Sequence, residues 1–282
     1  MNPPNEKVSS NFAGILLKPP SEYEKWMKIS IVTITYNNLP ELKKTLDSIP
    51  GCDYIESVVI NGGNSPETVE YLINYRGIVV NEKDKGISDA FNKGIKYSSG
   101  DAVMFLNSGD VLIDKNYPEN ALKLLEDNYN ISFVHSSIIF TDSISGDLTM
   151  KPRMKNLGRG MPFLHPTMVV RKKVFEEIGG FKLKYEIGMD FDFVVRMEKK
   201  HLKGFYYDKQ PVVMMEGSGK SHSKEYKSIM ECFYSLRENH SLTLSNIIGL
   251  KIRFILYFLR QLILLSGGKH LLKSLKRNKY KN

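Results

Sequence analysis

Cysteine is scarce in this sequence, with only Cys52 and Cys232 among 282 residues. The two lie far apart, and neither belongs to a Cys-x-x-Cys pair or to a Cys/His cluster. This content excludes a disulfide framework and gives no zinc-binding pattern. It is typical of a reducing compartment, so we expect a cytoplasmic protein.

Acidic residues are absent from residues 239–282, which contain nine Lys or Arg side chains. Those nine account for the whole formal net charge of +9, because residues 1–238 carry equal numbers of basic and acidic groups. Positive charge confined to one end indicates local attachment to an anionic surface. It argues against nucleic acid as a partner, since the folded part lacks interleaved aromatic and basic residues.

The sequence also lacks an apolar run that is long enough to cross a bilayer and free of charge. Residues 247–265 come nearest, but three basic residues interrupt them. One helical stripe carries Asn246, Arg253, Tyr257 and Arg260. The pattern predicts an amphipathic helix on an anionic membrane surface, followed by the basic run 269–281. A helix packed on the domain or on a second subunit is the alternative, which leaves a homodimer open.

Apolar, β-branched runs do alternate with helical patterns in the first part of the chain. Four such runs predict strands, at 28–36, 57–60, 78–80 and 102–106. This alternation predicts an α/β fold with a Rossmann-like, mostly parallel sheet flanked by helices. Farther along, three single strands are predicted at 131–141, 168–170 and 206–215, and helices at 172–178, 190–199 and 224–239.

Small and polar residues follow each of the first four strands. The loops are Thr35-Tyr36-Asn37, Asn61-Gly62-Gly63-Asn64, Glu82-Lys83-Asp84-Lys85-Gly86 and Asn107-Ser108-Gly109-Asp110. Turn chemistry alone explains any one of them. Because the carboxyl ends of parallel strands meet at one sheet edge, where ligands bind, the four together indicate a binding site.

These motifs, in this order, resemble glycosyltransferase family 2, an inverting family with the GT-A fold. The resemblance continues through residues 82–94, His165-Pro166 and residues 188–192, and spans residues 28–221. Within the family it resembles the branch that builds bacterial surface polysaccharides of the colanic acid or O-antigen type. It implies transfer of a sugar from a nucleotide-diphosphate donor, with a UDP-sugar preferred, to a lipid-linked or oligosaccharide acceptor.

A glycosyl donor of this kind gains negative charge on its diphosphate as the glycosidic bond breaks. A divalent cation held by carboxylate oxygen stabilises that charge. Asp110, at the end of a predicted strand, is the expected ligand for Mn²⁺ or Mg²⁺. The family usually has two carboxylates here, so we expect weak metal affinity before the donor binds. The resemblance adds His222 as a further metal or diphosphate contact.

By resemblance, Tyr36 stacks on the nucleobase, Asn61 accepts a hydrogen bond from it, and Asp84 lies near the base or ribose. The family usually has Asp at position 61, so the exchange leaves the base preference open. Asp89 and Asn92 share one helical face near the same edge, where helix capping is the alternative. The predicted donor site comprises Thr35, Tyr36, Asn37, Asn61, Asp84, Lys85, Asp89, Asn92, Asn107, Ser108, Gly109 and His165.

An inverting transfer needs one general base to take the proton of the attacking hydroxyl group. Asp190 matches the family's base position, and Asp192 is the alternative. Both carboxylates could instead open a helix, whose dipole favours anions there. The competing function is a sugar-nucleotide or glycan-binding protein without turnover, since the metal motif has lost its first carboxylate. Such a protein would have no need of a base at position 190.

The expected organisation has three parts. Residues 1–27 form a polar extension, which lacks the charge and apolar pattern of a signal peptide. Residues 28–239 form the glycosyltransferase domain, with a nucleotide-binding half at 28–110 and an acceptor-binding half at 111–239. Residues 240–282 form a basic, membrane-associating tail. Together they predict a peripheral enzyme at the inner face of the cell membrane.

Overall fold

The computed structural model describes residues 27–142, 146–153, 156–216 and 224–266. The predictions for the extension before Met27, for His222 and for the basic run 269–281 lie outside these residues. The described strands are β1 (Ile29–Thr35), β2 (Ile55–Asn61), β3 (Ile78–Asn81), β4 (Ala102–Phe105), β5 (Val111–Leu112), β6 (Ile131–His135), β7 (Ile138–Asp142), β8 (Gly146–Met150), β9 (Val169–Arg171), β10 (Lys203–Tyr206) and β11 (Val213–Glu216). The α-helices are α1 (Leu39–Leu46), α2 (Pro66–Ile73), α3 (Ile87–Tyr97), α4 (Tyr117–Asp127), α5 (Lys172–Ile178), α6 (Met189–Lys199), α7 (Glu225–Glu238) and α8 (Leu244–Leu265).

A sheet of seven strands, ordered β10-β6-β9-β4-β1-β2-β3, forms the centre of the molecule. β1 pairs in parallel with β2 and β4, and β2 pairs in parallel with β3. Helices cover both faces, so β1 is buried along almost its whole length. Gly94 on α3 has no side chain, and a Cβ there would lie 2.3 Å from Val32 Cγ1, so α3 approaches β1 closely. The predicted mostly parallel α/β sheet is confirmed.

One strand of this sheet runs against the others. β9 pairs antiparallel with β4 on one side and with β6 on the other, so it extends the sheet beyond the four strands predicted to be parallel. A second sheet of four strands, ordered β5-β11-β7-β8, packs beside the first. The half after residue 110 is therefore mixed, as the sequence predicts.

The prediction of a single strand at 131–141 is wrong, because this segment forms β6 in the large sheet and β7 in the small sheet. Ser136 and Ser137 separate the two strands and are buried. The Ser136 N–H donates to Thr167 Oγ1 at 2.9 Å, and its hydroxyl group donates to the Tyr207 carbonyl oxygen at 2.7 Å. These side-chain contacts replace ladder hydrogen bonds, so the buried Ser136 N–H stays paired where the chain changes sheets.

The single strand predicted at 206–215 also divides, into β10 and β11. Pro211 lies between them and has no N–H to donate to a neighbouring strand, which favours the break. Helix α4 lies in a segment where residue patterns did not predict a helix. Tyr117 at its first residue is fully buried, and its hydroxyl group donates to the Thr167 carbonyl oxygen. Tertiary packing therefore stabilises this helix.

The C-terminal part of the described chain consists of α7 and α8. α7 packs against α6, and α8 begins after Thr243, whose hydroxyl oxygen accepts a hydrogen bond from the Asn246 N–H at 3.2 Å. Leu250, in the first half of α8, is buried in the core that α6 and α7 share. No helix in the described part of the chain is both long and apolar enough to span a bilayer.

Candidate active site

The carboxyl ends of β1 and β4 lie side by side. From β1 the chain adds β2 and β3 on one side and then β4 on the other, so the strand order reverses between β1 and β4. Ligands of open α/β sheets bind in the crevice at such a point. Three buried side-chain atoms there have no hydrogen-bond partner in the described chain, namely Thr35 Oγ1, Asn107 Oδ1 and Ser108 Oγ. Because buried polar atoms are nearly always paired, these three favour a polar ligand at this edge.

Asp110 lies directly after this group and is only 6% exposed. Burial raises the pKa of its carboxyl group to about 7, and the Asn107 N–H, which donates to its Oδ2 at 3.1 Å, opposes that rise. Gly109 has a φ of +102°, a left-handed conformation that glycine adopts without strain. Its N–H donates to Thr45 Oγ1 at 2.9 Å, which fastens the loop to α1.

The oxygen atoms at this edge can hold a divalent cation only in part. Asp110 offers a carboxylate, and Asn107 and Ser108 offer the two unpartnered oxygens. Among the described residues, no three His, Cys, Asp or Glu side chains lie close enough together to hold a metal ion. Mg²⁺ and Mn²⁺ prefer oxygen ligands and share them readily with substrate phosphates. The donor set therefore fits a cation whose shell a bound diphosphate completes.

Asn37 organises the first two loops. Its backbone is left-handed, with a φ of +52°, and its Oδ1 accepts hydrogen bonds from the N–H groups of Asn64 and Ser65, both at 2.8 Å. Gly63 permits this contact, because a Cβ there would lie 2.2 Å from the same oxygen. The neighbouring Tyr36 is 71% exposed, which leaves its ring accessible to a nucleobase.

Asn61 is fully buried at the end of β2, and both of its side-chain groups have protein partners. Its amide nitrogen donates to Asn81 Oδ1 at 3.0 Å, and its oxygen accepts from the Gly63 N–H at 3.1 Å. The carbonyl oxygen can accept one more hydrogen bond, so a base contact is still open to it. Its observed contacts join the second loop to β3.

Lys93 is a site residue that the sequence did not indicate. Its Nζ lies 2.9 Å from Asp84 Oδ1 and 3.5 Å from Asp89 Oδ2, so one lysine on α3 neutralises two predicted donor contacts. Gly62 makes room for Asp84, since a Cβ there would lie 1.9 Å from Asp84 Oδ2. The Lys85 N–H donates to Asp89 at 3.0 Å, and this bond lowers the pKa of the Asp89 carboxyl group. A lysine at an i+4 position from Asp89 is the pattern that could have revealed it.

Asn92 contacts the protein backbone through both ends of its side-chain amide. Its nitrogen donates to the Phe181 carbonyl oxygen and its oxygen accepts from the Phe181 N–H, each at 2.8 Å. A Cβ on Gly180 would lie 2.3 Å from the Asn92 oxygen, so this turn is fitted to the amide. The geometry favours a structural role for Asn92, which fastens α3 to the turn before α6.

His165 lies in a short 3₁₀ turn before β9, and its ring is surrounded by aromatic side chains. It stacks on Phe91 and Phe105, with ring centroids 5.4 and 5.5 Å apart, and meets the edge of Phe181 at 6.0 Å. Burial lowers the pKa of the imidazole to about 4, so the ring is neutral near pH 7. Phe105 ends β4, which brings His165 close to the strand end that leads to Asp110.

Asp190 lies in the first turn of α6. Its Oδ1 accepts from the Phe191 N–H at 2.7 Å, and burial raises the pKa of its carboxyl group to about 6. The start of α6 is joined to the start of α3 by the Ser88 hydroxyl group, which contacts the Tyr185 carbonyl oxygen at 2.9 Å and Met189 S at 3.0 Å. Asp190 therefore lies at the same edge of the molecule as the loop after β3.

Glu231 on α7 holds the segment that leads to Asp190, and it was not among the predicted site residues. Its carboxylate accepts from the N–H groups of Glu186, Ile187 and Gly188 at 3.1, 2.8 and 2.7 Å. Its negative charge also contributes to the raised pKa of Asp190. Glu231 could have been found from its place close to the inward-facing positions of an amphipathic helix. A buried acidic residue needs specific hydrogen-bond or charged partners, so its presence there indicates a contact.

Asp192 differs from Asp190 in every contact. It is fully buried, and its oxygens are paired with Arg196 Nε at 2.8 Å and Lys182 Nζ at 3.2 Å. It also accepts from Ser235 Oγ at 2.9 Å and Asn239 Nδ2 at 3.1 Å. Four donors leave this carboxylate little capacity to accept a proton from a substrate. The geometry therefore favours Asp190 over Asp192 as the base.

Solved structures share this architecture. S. aureus TarS 1-349 in complex with UDP-GlcNAc matches with a TM-score of 0.61 at 16% identity, over 76% of this chain and 65% of that one, which is less than two thirds of its length. The mannosyltransferase PcManGT from Pyrobaculum calidifontis, in complex with GDP-Man and Mn²⁺, matches with a TM-score of 0.57 at 14% identity, over 91% and 85% of the two chains. At such identities the likeness concerns the fold, which is GT-A.

Sequence relatives support the same assignment. An uncharacterized glycosyltransferase of Mycobacterium tuberculosis is 29% identical over 178 residues, which cover 60% of this chain and 68% of that protein. A PGL/p-HBAD biosynthesis glycosyltransferase of Mycobacterium bovis is 25% identical over 180 residues, covering 59% and 68%. The model of glycosyl transferase family 2 matches residues 30–179, more than half of the chain. Since that match contains the polar edge at β1 and β4, the chain belongs to glycosyl transferase family 2.

Proposed function

We propose that this protein is an inverting glycosyltransferase that moves a sugar from a UDP-sugar to a hydroxyl group of a lipid-linked glycan in bacterial surface polysaccharide synthesis. The observation that carries the proposal is the set of three unpartnered polar atoms, on Thr35, Asn107 and Ser108, beside Asp110. A nucleotide diphosphate offers both donors and acceptors to such a group. TarS and PcManGT, which have a similar fold, hold UDP-GlcNAc and GDP-Man in their structures.

In the proposed reaction, Asp190 acts as the general base. The acceptor oxygen attacks the anomeric carbon from the face opposite the diphosphate, and a new carbon–oxygen bond forms. The bond between that carbon and the diphosphate oxygen breaks, and the nucleoside diphosphate leaves with the electron pair. The hydroxyl proton passes to the Asp190 carboxylate. A pKa of about 6 suits this task, because the group is ionised near pH 7 and still basic enough to take a proton.

Mn²⁺ or Mg²⁺ at Asp110 would neutralise the charge on the departing diphosphate. Asp110 and Asn107 would hold the ion, and His222 remains a proposed further contact. Since burial raises the pKa of Asp110 to about 7, its carboxyl group is partly protonated at neutral pH before a cation binds. We therefore expect metal and donor to bind together, with weak metal binding when the donor is absent.

We also propose that α8 attaches the enzyme to the inner face of the cell membrane. Its outer face exposes large apolar side chains, which is unusual for a helix end in water. The most exposed of these in the second half of the helix are Ile255, Phe258, Leu262 and Leu265, at 58%, 55%, 61% and 84%. The same face could join two subunits, so a homodimer is the alternative occupant.

The test is release of nucleoside diphosphate from a panel of UDP-, GDP- and dTDP-sugars, with Mn²⁺, Mg²⁺ or EDTA. We expect turnover of one donor class that requires metal and that Asp110→Ala reduces by about 100-fold or more, since metal stabilisation of the leaving group is worth several kcal/mol. Asp101→Ala is the matched control, because this exposed aspartate lies just before β4, at the end of the strand opposite to Asp110. Binding of a donor with no hydrolysis and no transfer, with or without membrane extract, would support the binding-protein alternative.

A further inference from the structure

Helix α8 presents its polar stripe to the protein and its apolar face to the outside. Arg260 makes two hydrogen bonds to the Glu225 carboxylate, at 2.6 and 3.1 Å, and Tyr257 packs against Tyr226. Asn246 Oδ1 accepts from the Gly158 N–H at 3.1 Å. An amphipathic helix on a soluble domain normally has the opposite orientation, so the exposed apolar face needs another partner.

Two glycines fix this orientation. A Cβ on Gly158 would lie 2.0 Å from the Asn246 carbonyl oxygen, and one on Gly249 would lie 2.7 Å from the Gly158 carbonyl carbon. The backbone of α8 is therefore in direct contact with the 3₁₀ turn Leu157–Arg159. Such close backbone contact leaves no room for the helix to rotate about its axis, and its two faces are set by the domain.

A cleft of about 890 Å³ lies between α8 and the segment around the 3₁₀ turn. Its charged lining side chains are four arginines and one glutamate, Arg153, Arg159, Arg253, Arg260 and Glu225. The remaining lining includes the apolar side chains of Met161, Ile248, Ile252 and Leu256. The cleft thus combines a net positive charge with an apolar wall, and Ile248 and Leu256 are also exposed on the outer face of α8.

Arg253 lines this cleft and also reaches α7, through a hydrogen bond between its side chain and the Cys232 thiol. Its Nη1 is buried and has no hydrogen-bond partner in the described chain, and its guanidinium carbon would lie 3.4 Å from a Cβ on Gly160. Burial raises the pKa of the Cys232 thiol, the charge and hydrogen bond of Arg253 lower it, and the charges of Asp190 and Glu231 raise it.

We propose that this cleft binds the phosphate or diphosphate group of the lipid that carries the acceptor glycan, with the lipid chain along the apolar face of α8. Guanidinium groups bind phosphate through paired, charge-assisted hydrogen bonds, and an unpartnered arginine nitrogen is suited to one. The lipid chain covers the exposed apolar residues, which a free sugar phosphate would leave in water. Glu231 of α7 accepts from the Gly188 N–H just before Asp190, and its neighbour Cys232 contacts Arg253, so a phosphate held in the cleft leaves the attached sugar near Asp190. The inference rests on the proposed function, whose acceptor it specifies.

The experiment is titration calorimetry of the full chain with farnesyl diphosphate, in the presence of saturating UDP to fill the donor site. Inorganic pyrophosphate and farnesol supply the charge and the apolar chain separately, and we expect both to bind at least about tenfold more weakly. Arg159→Gln and Arg253→Gln should each weaken farnesyl diphosphate binding by about tenfold, because each removes a charged hydrogen-bond donor. Arg159 is exposed, so its variant should fold normally.

The matched control is Lys251→Gln, which removes one positive charge from the exposed side of α8 outside the cleft. We expect it to bind farnesyl diphosphate as the wild type does. Equal weakening by Lys251→Gln and Arg159→Gln would overturn the site in favour of general attraction to anions. Glycerol 3-phosphate, the phosphate of a bulk lipid headgroup without its chains, should compete weakly, and competition equal to that of inorganic pyrophosphate or stronger would overturn the site in favour of a bulk lipid headgroup. A dimer in light scattering that excludes farnesyl diphosphate would assign the face to a second copy.

Failure of this inference can be told from failure of the proposed function by measuring donor hydrolysis on the same variants. Arg159→Gln should retain metal-dependent donor hydrolysis, because it lies outside the donor edge, and should raise the KM for a diphosphate-linked acceptor by about tenfold. Donor hydrolysis without farnesyl diphosphate binding would overturn the lipid site and leave the transferase intact. Farnesyl diphosphate binding without turnover of any donor would support the site and contradict the transferase.

Discussion

The two halves of the domain position their polar residues by different means. In residues 28–110, contacts join loops that follow neighbouring strands, as when Asn37 clamps the loop after β2. In residues 111–239, Asp190 depends on elements far apart in the chain, with α3 on one side and Glu231 of α7 on the other. The first half can thus be specified by short motifs, whereas the proposed base needs the assembled tertiary structure.

Asp190 and Asp192 lie in the same turn of α6 but differ in their partners. Asp192 has two cationic partners and two neutral donors, while Asp190 has no ion pair within the described chain. A carboxylate with ideal partners stabilises the fold, and one that is partly buried without a cation is left reactive. Asp190→Asn should therefore lower activity and leave stability intact, whereas Asp192→Asn should lower stability and leave activity intact.

The largest effect is expected for Asp190→Asn. Removal of the general base should lower kcat by about 10²- to 10⁴-fold, with the dissociation constant of the donor unchanged. The melting temperature should stay equal or rise, because burial disfavours the ionised carboxyl group that is removed. The measurements are kcat for transfer, donor affinity by calorimetry and thermal unfolding. A variant that keeps a wild-type kcat would exclude Asp190 as the base.

Asp192→Asn should give the reverse pattern. Breaking a buried ion pair by removing one partner costs about 3 to 5 kcal/mol, so the free energy of unfolding in urea should fall by that amount. Protein that remains folded should keep kcat close to the wild-type value. Unchanged stability combined with lost transfer would identify Asp192 as the base and reverse the comparison.

The pH dependence of kcat, at saturating donor and metal, should report Asp190. Its pKa is raised to about 6, so the basic form predominates above that pH and the protonated, inactive form below it. We expect kcat to be level from about pH 7 upward and to fall about tenfold per pH unit below 6. The same profile in Asp192→Asn is the control. An acid limb near pH 4 would mean that the base is a carboxyl group with an ordinary pKa.

The smallest effect is expected for Glu231→Gln. Glutamine keeps an oxygen that can accept from the N–H groups before α6, but it removes the negative charge that helps to raise the pKa of Asp190. The acid limb of kcat should therefore move to lower pH, with kcat at pH 7.5 reduced by less than about tenfold. Glu231→Ala removes the oxygen as well and should lower kcat further. A profile that does not move in Glu231→Gln would show that Glu231 acts only on the fold.

Much of the first half could be predicted from residue patterns. The apolar runs at 28–36 and 102–106 form buried parallel strands because only a strand covered on both faces accommodates them. The run at 131–141 was wrongly predicted to be one strand. Its nearly continuous β-branched and aromatic residues do not show that the chain passes into a second sheet at Ser136. The domain limits at residues 110 and 239 remain predictions.

The candidate site was predicted as a set of positions, and the structure separates its members by their contacts. Asn92 matched the spacing of a donor contact, yet the Phe181 backbone uses both ends of its amide. Lys93 was overlooked because a helix-surface lysine is common, although its partners Glu82, Asp84 and Asp89 all lie close to it in the sequence. The partner of Asn92 comes from a distant segment instead, and such a contact has no signature in local spacing.

Residue patterns were enough to predict a mostly parallel α/β sheet, polar loops at one edge of it and an amphipathic helix near the C-terminus. These features depend on the period of apolar residues and on turn chemistry, which act over a few neighbouring residues. Which face of α8 meets the protein depends instead on contacts between distant segments. Gly158 and Gly249 bring two backbones into contact and Glu225 pairs with Arg260, so the polar stripe turns inward and the apolar face is left for another partner.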